Sequence, residues 1–243
     1  MNSVLLVEPR NTEYCFILLK RCIEVLGTDN WDFVFYCGNH SSEYYNNLLN
    51  SKYPELKNRI KLIKLPVSNF NTCHEYSDFM KSRKLWESLT GTFVLTIQID
   101  AWVISEGKYT IDYFINKNKS FIGGNMSYPW NELHREKIYR PFLNFNGGMS
   151  LRKREDMINI IDTFPPEKTL QGSQKINTDA EDVYFVLGCY KLGLTLGDTQ
   201  DDSCFCIHTI QKPEAFGVHQ SSFPFDKRIH DYNVILHLNR TLV

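Results

Sequence analysis

One carboxylate and one imidazole stand where they could hold a divalent cation. Asp100 follows Phe93–Ile99, an apolar, β-rich run that predicts a central strand. A carboxylate at a strand end can bind such a cation and hold it against a diphosphate, although a lone aspartate is often a helix cap or a surface residue. His219 is a second candidate ligand far downstream, and alone it is more often structural. An imidazole paired with a carboxylate suits Mn²⁺ better than Mg²⁺.

An acidic pair, Glu181 and Asp182, opens a predicted helix over 180–192. The four residues from Thr178 to Glu181 have the types of a capping box, so Glu181 can satisfy a backbone N–H at the helix start. Asp182 lies in the first turn too, where the helix dipole favours a carboxylate. Because Glu181 has this local task, Asp182 is the more available general base, and a plain helix start is the alternative.

Two adjacent glycines, Gly147 and Gly148, lie beside a predicted strand over 144–151. Adjacent glycines bring bare backbone to a surface, where a ligand can lie flat against it. Several basic side chains are usually a solvated face, but one of them could reach a phosphate: Lys81, Arg83, Lys84, Arg152 and Lys153.

Predicted strands and helices alternate along the first hundred residues. Apolar runs predict strands at 4–7, 33–36, 60–65 and 93–99, with helices over 14–25 and 43–50 and one running from a capping box at Thr72 toward Leu89. This alternation predicts a mostly parallel α/β sheet, whose ligands bind outside the carboxyl ends of the strands. The second half adds strands near 120–123 and 144–151, helices at 157–164 and 180–192, and short strands near 204–208 and 234–238. The polar segment 169–178 is predicted to be a mobile loop.

Cysteine usage favours a reducing compartment. Seven cysteines form an odd number without framework spacing, which favours free thiols and a cytoplasmic location. Cys204, Cys206 and His208 alternate, as side chains on one face of a strand do, and this spacing favours core packing over a zinc site.

Composition bounds the class of protein. With 243 residues and 42% hydrophobic content, the chain fits one domain with a sizeable core. A net charge of −1 provides no broad field for nucleic acid or for a membrane surface. The N-terminus does not have the pattern of a signal peptide, and no run of 18 apolar residues predicts a membrane span. The chain could also be a domain cut from a longer protein.

In combination, these segments resemble nucleotide-sugar-dependent glycosyltransferases of the A-type fold. They are most similar to a group of uncharacterised glycosyltransferase-like domains of fungi, bacteria and large viruses. The matching segments occur in the family's order: Val7-Glu8-Pro9-Arg10, Lys84-Leu85-Trp86, Gln98-Ile99-Asp100, Phe121-Ile122-Gly123-Gly124 with Pro129-Trp130, Asn146-Gly147-Gly148-Met149-Ser150-Leu151-Arg152, Glu181-Asp182-Val183-Tyr184-Phe185 and Phe216-Gly217-Val218-His219.

The resemblance implies a role for each segment. Asp100 corresponds to the last carboxylate of the family's Asp-x-Asp metal motif and His219 to its downstream ligand, while Asn146, Gly147 and Gly148 line the sugar pocket. Asp182 becomes the general base and Glu181 an acceptor contact. Gln98 stands where the family has its first Asp, which removes one ribose or metal contact.

The sequence therefore predicts a single A-type domain over 1–243, with a nucleotide-binding half over about 1–100 and an acceptor-binding half over about 101–243. The predicted activity is Mn²⁺- or Mg²⁺-dependent transfer of a sugar from a uridine-linked donor to a hydroxyl of a glycan, protein or small molecule, with inversion. The predicted donor-binding residues are Asn146, Gly147, Gly148, Arg83, Lys84 and Gln98. The alternatives are a catalytically silent glycan- or protein-binding domain and a metal-dependent nucleotidyltransferase or hydrolase.

Overall fold

A computed structural model describes residues 1–104, 108–125, 145–166, 180–208, 212 and 214–219. The segment 169–178, predicted to be a mobile loop, and the predicted strand near 234–238 lie outside these residues, as does the Pro129-Trp130 element. The strands are β1 Asn2–Glu8, β2 Trp31–Cys37, β3 Ile60–Lys64, β4 Phe93–Ile97, β5 Ala101–Val103, β6 Phe121–Asn125, β7 Phe145–Lys153, β8 Cys206–Ile207 and β9 Gly217–His219. The helices are α1 Tyr14–Leu26, α2 Ser42–Ser51, α3 Cys73–Met80, α4 Arg83–Ser88, α5 Ile111–Lys117, α6 Arg154–Thr163, α7 Glu181–Lys191 and α8 Thr199–Phe205, with a short 3₁₀ turn at Pro54–Leu56.

Six strands form the main sheet, in the order β3-β2-β1-β4-β7-β6. The first four strands are parallel, and β7 pairs antiparallel with both β4 and β6. The prediction of an α/β fold with a mostly parallel central sheet is confirmed. A smaller sheet, β5-β9-β8, lies beside it.

Both faces of the main sheet are covered. Along β1, Val4 and Leu6 pack into one apolar cluster, while Leu5 and Val7 pack into the other. A strand buried on both faces has no polar face, which explains the uninterrupted apolar runs of the first half.

The helix predicted from Thr72 to Leu89 is two helices. Thr72 caps α3 as expected, its hydroxyl accepting from the Glu75 N–H at 3.2 Å. The chain then breaks because Ser82 is extended (φ −75°, ψ 123°) and begins α4, and serine is a preferred residue at this position. The indole of Trp86 donates to the carbonyl of Met80 at 2.8 Å and so satisfies the end of α3.

The strand predicted over 204–208 is wrong at its start. Cys204 belongs to α8, whose first turn is capped by the side chain of Asp198 through the N–H groups of Gln200 and Asp201. Only Cys206–Ile207 is strand. Alternation of residue types does not reveal this cap, which lies upstream of the alternating residues.

Candidate functional site

A cleft of about 450 Å³ opens where β1 and β4 end. From β1 the chain runs through α1 to β2 on one side, and the later β4 lies on the other side of β1. This reversal of strand order is the place where open α/β sheets bind ligands. The cleft is lined by the ends of β1 and β4 and by the segment leading into α3: Val7, Glu8, Pro9, Arg10, Asn69, Phe70, Asn71, Thr72, Cys73, Tyr76, Gln98, Ile99 and Asp100.

Asp100 lines this cleft and meets the buried side chain of His219. Strand pairing brings them together, because Ala101 of β5 lies opposite His219 of β9. Nε2 of His219 lies 3.1 Å from Oδ1 of Asp100. The imidazole is 2% exposed, yet neither of its nitrogens makes an aligned hydrogen bond to a described residue.

His208 packs against the imidazole of His219. Its ring stacks on that of His219 with centroids 5.2 Å apart, and its Nδ1 lies 3.0 Å from the carbonyl oxygen of His219. Burial lowers the pKa of His208, so it is neutral at pH 7 and Nδ1 donates this bond.

The two glycines connect the metal-ligand candidates to the acidic pair. A Cβ on Gly148 would lie 2.1 Å from Nε2 of His219, and one on Gly147 would lie 2.6 Å from Oε1 of Glu181 and 2.8 Å from Cβ of Asp182. Protein side chains therefore fill the space that a larger residue would need. Contact of this backbone with a donor sugar stays a prediction.

Asp182 is buried at the start of α7. Its Oδ2 accepts from the N–H of Gly147 at 3.0 Å, and its Oδ1 accepts from the N–H of Val183 at 2.8 Å. Burial, and then the charge of Glu181, raise the pKa of Asp182 to about 6, against the lowering effect of these hydrogen bonds and of Arg152. A carboxylate with this pKa is ionised at pH 7 and still has a raised proton affinity, as general bases need.

Glu181 has a different partner from the one its capping box suggests. Arg152 binds both of its carboxylate oxygens, at 2.5 Å and 3.1 Å, and the two side chains are almost completely buried. Arg152 is therefore not one of the basic residues that could reach a phosphate. Sequence reasoning missed this pair because its partners are 29 residues apart and on different elements.

Of the six residues predicted to bind donor, only Gln98 is among the described residues that line the cleft, and Gly148 is hydrogen-bonded to it. Gln98 lines the cleft and donates its backbone N–H to Gly148, and the side chain of Asn146 accepts from the Gly148 N–H at 2.8 Å. Arg83 and Lys84 are exposed on α4 and are not among the described residues that line the cleft. Arg83 instead binds Asp162 of α6 and Glu87 of its own helix.

Two further cleft residues escaped sequence reasoning. The hydroxyl of Tyr76 accepts a hydrogen bond from the side-chain amide of Gln98 at 3.3 Å. Gln98, which stands in place of the first carboxylate of the metal motif, is therefore hydrogen-bonded within the protein. Arg10 is the only cation among the described residues that line the cleft, and the buried carboxylate of Glu8 holds its Nε and Nη2 at 2.8 Å and 2.7 Å. The feature of the sequence that could have indicated Arg10 is its position just after an apolar strand.

The side chains of Asp100 and His219 are suitable ligands for a divalent cation that takes its other ligands from elsewhere. A carboxylate oxygen and a buried imidazole nitrogen without an aligned hydrogen bond face each other, and this combination suits Mn²⁺. Within the described part of the chain, no three His, Cys, Asp or Glu side chains form a group that could hold a metal ion. A diphosphate or water would therefore have to complete the coordination.

Comparison with protein families matches residues 59–225 to a family described as "Protein of unknown function (DUF5672)". The chain belongs to this family. Comparison with curated proteins found no relative by sequence.

Solved structures show the fold of this DUF5672 member. The galactosyltransferase LgtC, in complex with donor and acceptor sugar analogs, aligns over 98% of this chain and 95% of its own, with 12% identity and a TM-score of 0.56. The mannosyltransferase PcManGT from Pyrobaculum calidifontis, in complex with GDP-Man and Mn²⁺, aligns with 12% identity and a TM-score of 0.54. That alignment covers 99% of this chain and 64% of the mannosyltransferase. These likenesses confirm the predicted A-type glycosyltransferase fold.

Proposed function

We propose that this DUF5672 protein transfers a sugar from a nucleotide diphosphate donor, uridine-linked, to a hydroxyl acceptor with inversion at the anomeric carbon. One observation carries the proposal. The cleft at the strand-order reversal is lined by Asp100, which contacts the buried His219, and two adjacent glycines link this pair to the buried carboxylate of Asp182. The likeness of the fold to sugar transferases adds support.

Donor binding falls to the cleft, whose described lining residues all come from the first hundred positions. This supports a nucleotide-binding half over about 1–100. Asp100 and His219 would hold the divalent cation, which when bound neutralises charge on the departing diphosphate. Arg10, fixed by Glu8, is placed to contact phosphate oxygens, because a guanidinium matches their geometry.

Asp182 acts as the general base. The acceptor oxygen forms a bond to the anomeric carbon while the bond from that carbon to the diphosphate oxygen breaks. The acceptor proton passes to Asp182, and the electron pair leaves with the diphosphate. Such a direct displacement needs the base on the face opposite the leaving group, which implies inversion. In this role Asp182 and Glu181 would belong to the acceptor-binding half over about 101–243, with Glu181 at the acceptor side.

The second candidate is a catalytically silent sugar- or protein-binding domain. It is favoured by Gln98, which stands in place of a carboxylate and whose amide is engaged with Tyr76. A domain of this kind would bind nucleotide or glycan but release no nucleoside diphosphate.

Calorimetry with UDP, with and without Mn²⁺, tests the donor site. We expect Mn²⁺-dependent binding in the native protein, its loss in Asp100→Ala and in His219→Ala, and its retention in Asp29→Ala, which removes an exposed aspartate in a turn. Equal affinity for UDP in native protein and Asp100→Ala, with Mn²⁺ present, would overturn the metal assignment.

Turnover separates the two candidate functions. The native protein is incubated with Mn²⁺ and a panel of UDP-hexoses and GDP-mannose, with a mixture of glycan acceptors, and release of UDP or GDP is measured. Release that depends on acceptor supports the transferase. Tight binding of a nucleotide or glycan with no release from any donor supports the binding domain.

A further inference from the structure

A buried arginine lies beneath the glycines and the acidic pair. Arg152 of β7 is 0% exposed. Its guanidinium donates to both oxygens of Glu181, to the hydroxyl of Ser150 at 2.8 Å and to the carbonyl of Gly147 at 3.4 Å. One side chain thus holds a strand backbone and a helix start together.

Aromatic rings enclose the rest of this cation. The guanidinium carbon lies 4.8 Å from the ring centre of Phe121, 5.4 Å from that of Phe185 and 5.9 Å from that of Trp86. A charge enclosed in this way is costly without its partner, so Arg152 and Glu181 must be kept or lost together.

Gly147 is shared between Arg152 and Asp182. Its carbonyl accepts from Arg152, and its N–H donates to Asp182 at 3.0 Å. The two peptide groups that flank Gly147 are therefore fixed by these side chains. Glu181, the next residue to Asp182 along α7, is fixed by the same guanidinium.

We propose that Arg152 is a positioning residue, which holds the Asp182 carboxylate in place through Gly147 and Glu181. The inference rests on the proposed transferase function, in which Asp182 is the base. Arg152 itself touches neither donor nor acceptor, because it is enclosed by protein.

The arrangement also sets the charge around Asp182. Glu181 on its own helix raises the pKa of Asp182, and Arg152 on β7 opposes it with a smaller effect. Tyr76 of α3 faces Glu181 and Arg152. Burial and the charge of Glu181 raise the pKa of the Tyr76 hydroxyl, so this hydroxyl is neutral at pH 7. Removing Glu181 alone must therefore lower the pKa of Asp182, and removing Arg152 alone must raise it.

Four variants test the inference: Glu181→Gln, Arg152→Met, the double variant Arg152→Met/Glu181→Leu, and Arg152→Lys. The double variant replaces a buried ion pair with apolar side chains, a change that proteins often tolerate, so it is the variant to rely on if a single one does not fold. Lys153→Met, at the next position of the same strand, is the control.

The first readout is the titration of the Asp182 side-chain carbonyl carbon, followed by ¹³C NMR, which needs no activity. We expect midpoints in rising order for Glu181→Gln, the double variant, the native protein and Arg152→Met, with Lys153→Met at the native value. A native midpoint in the double variant would overturn the inference and leave the pair with a purely structural role.

The second readout is the rate of transfer. Arg152→Lys keeps the charge but loses the two-pronged contact, and we expect kcat to fall about 10–100-fold with KM unchanged, because small misplacements of a base are costly. A full rate in Arg152→Lys would contradict a positioning role. If the NMR midpoints follow the expected order while the native protein transfers no sugar, the coupling stands and the proposed function fails.

Discussion

At the residue scale, the site depends on a carboxylate kept in an unfavourable place. Asp182 is ionised at pH 7 although it is buried, and two backbone N–H groups compensate only part of the cost. In the proposed function this carboxylate accepts the proton, so the activity and the stability of the protein would depend on the same residue.

Asp182→Asn should nearly abolish transfer while leaving binding of UDP and Mn²⁺ intact. The side chain keeps its size but cannot accept a proton, and loss of a positioned base costs about 10²–10⁴-fold in rate. The measurement is kcat beside the calorimetric Kd for UDP. A rate within threefold of native would show that Asp182 is only part of a helix start.

The same substitution should change how stability depends on pH. The pKa of Asp182 is raised from 3.8 to about 6, so between these values the folded state binds more protons than the unfolded state. The native protein therefore loses stability as pH rises from about 4 to about 6, by about 3 kcal/mol from this group. Asp182→Asn removes this loss.

Urea unfolding of both proteins at pH 4, 5, 6 and 7 gives the comparison. The stability of Asp182→Asn minus that of the native protein should increase from pH 4 and level off near pH 7. Groups that the two proteins share cancel in this difference, so it reports Asp182 alone. A difference that does not change with pH would mean that Asp182 titrates normally.

At the element scale, close approaches between strands and helices decide where the site residues lie. β7 passes against β9 at Gly148, and α6 passes against α7 at Gly188, where a Cβ would lie 2.3 Å from Cγ2 of Ile160. The first contact places His219 and the second places the helix that carries Asp182.

Gly148→Ala should weaken Mn²⁺-dependent UDP binding by displacing the imidazole of His219. The added methyl would need the space of Nε2, and this ring is buried with little room to move. Calorimetry as described for Asp100→Ala measures the effect. Native affinity in this variant would show that His219 is not a ligand.

Gly188→Ala should destabilise the protein by about 1–3 kcal/mol through overpacking, although alanine is the better helix former. Ile160→Ala in the same chain should restore part of that loss, because it removes the atoms that the new methyl meets. Urea unfolding of the two single variants and the double variant gives the coupling. Strict additivity would contradict the close packing.

At the scale of the whole molecule, the chain provides no broad field for an anionic donor. Its net charge is −1, and Arg10 is the only cation among the described residues lining the cleft. In the proposed function, donor binding therefore relies on local groups and on the proposed cation. No helix among the described residues is long and apolar enough to cross a membrane.

Saturation with UDP and Mn²⁺ should raise Tm by roughly 5–10 °C. A ligand at 100 times its Kd stabilises a protein by about 2.7 kcal/mol, and each kcal/mol shifts Tm by about 2–4 °C for a chain of this size. EDTA should reverse the shift, and UDP alone should produce little. An equal shift with UDP in EDTA would show that the cation is dispensable for binding.

Elements that depend on local pattern could be predicted from the amino-acid sequence. Buried parallel strands appear as apolar runs, so β1 to β4 could be predicted, although β4 ends at Ile97 and not at Ile99. Caps are local as well, and the one at Thr72 is where the residue types indicate. The helix bearing Glu181 and Asp182 was also predicted to begin within one residue of its actual start.

Which of these residues contact one another depends on the three-dimensional fold. Arg152 pairs with Glu181 across 29 positions, and Gly148 contacts His219 across 71. Such contacts depend on the order and direction of strands, and a buried apolar strand has the same pattern whether it pairs parallel or antiparallel, as β4 does on its two sides. A basic side chain does not specify its partner either. The sequence therefore could not show that Arg83 lies toward α6 and that Arg152 lies in the core.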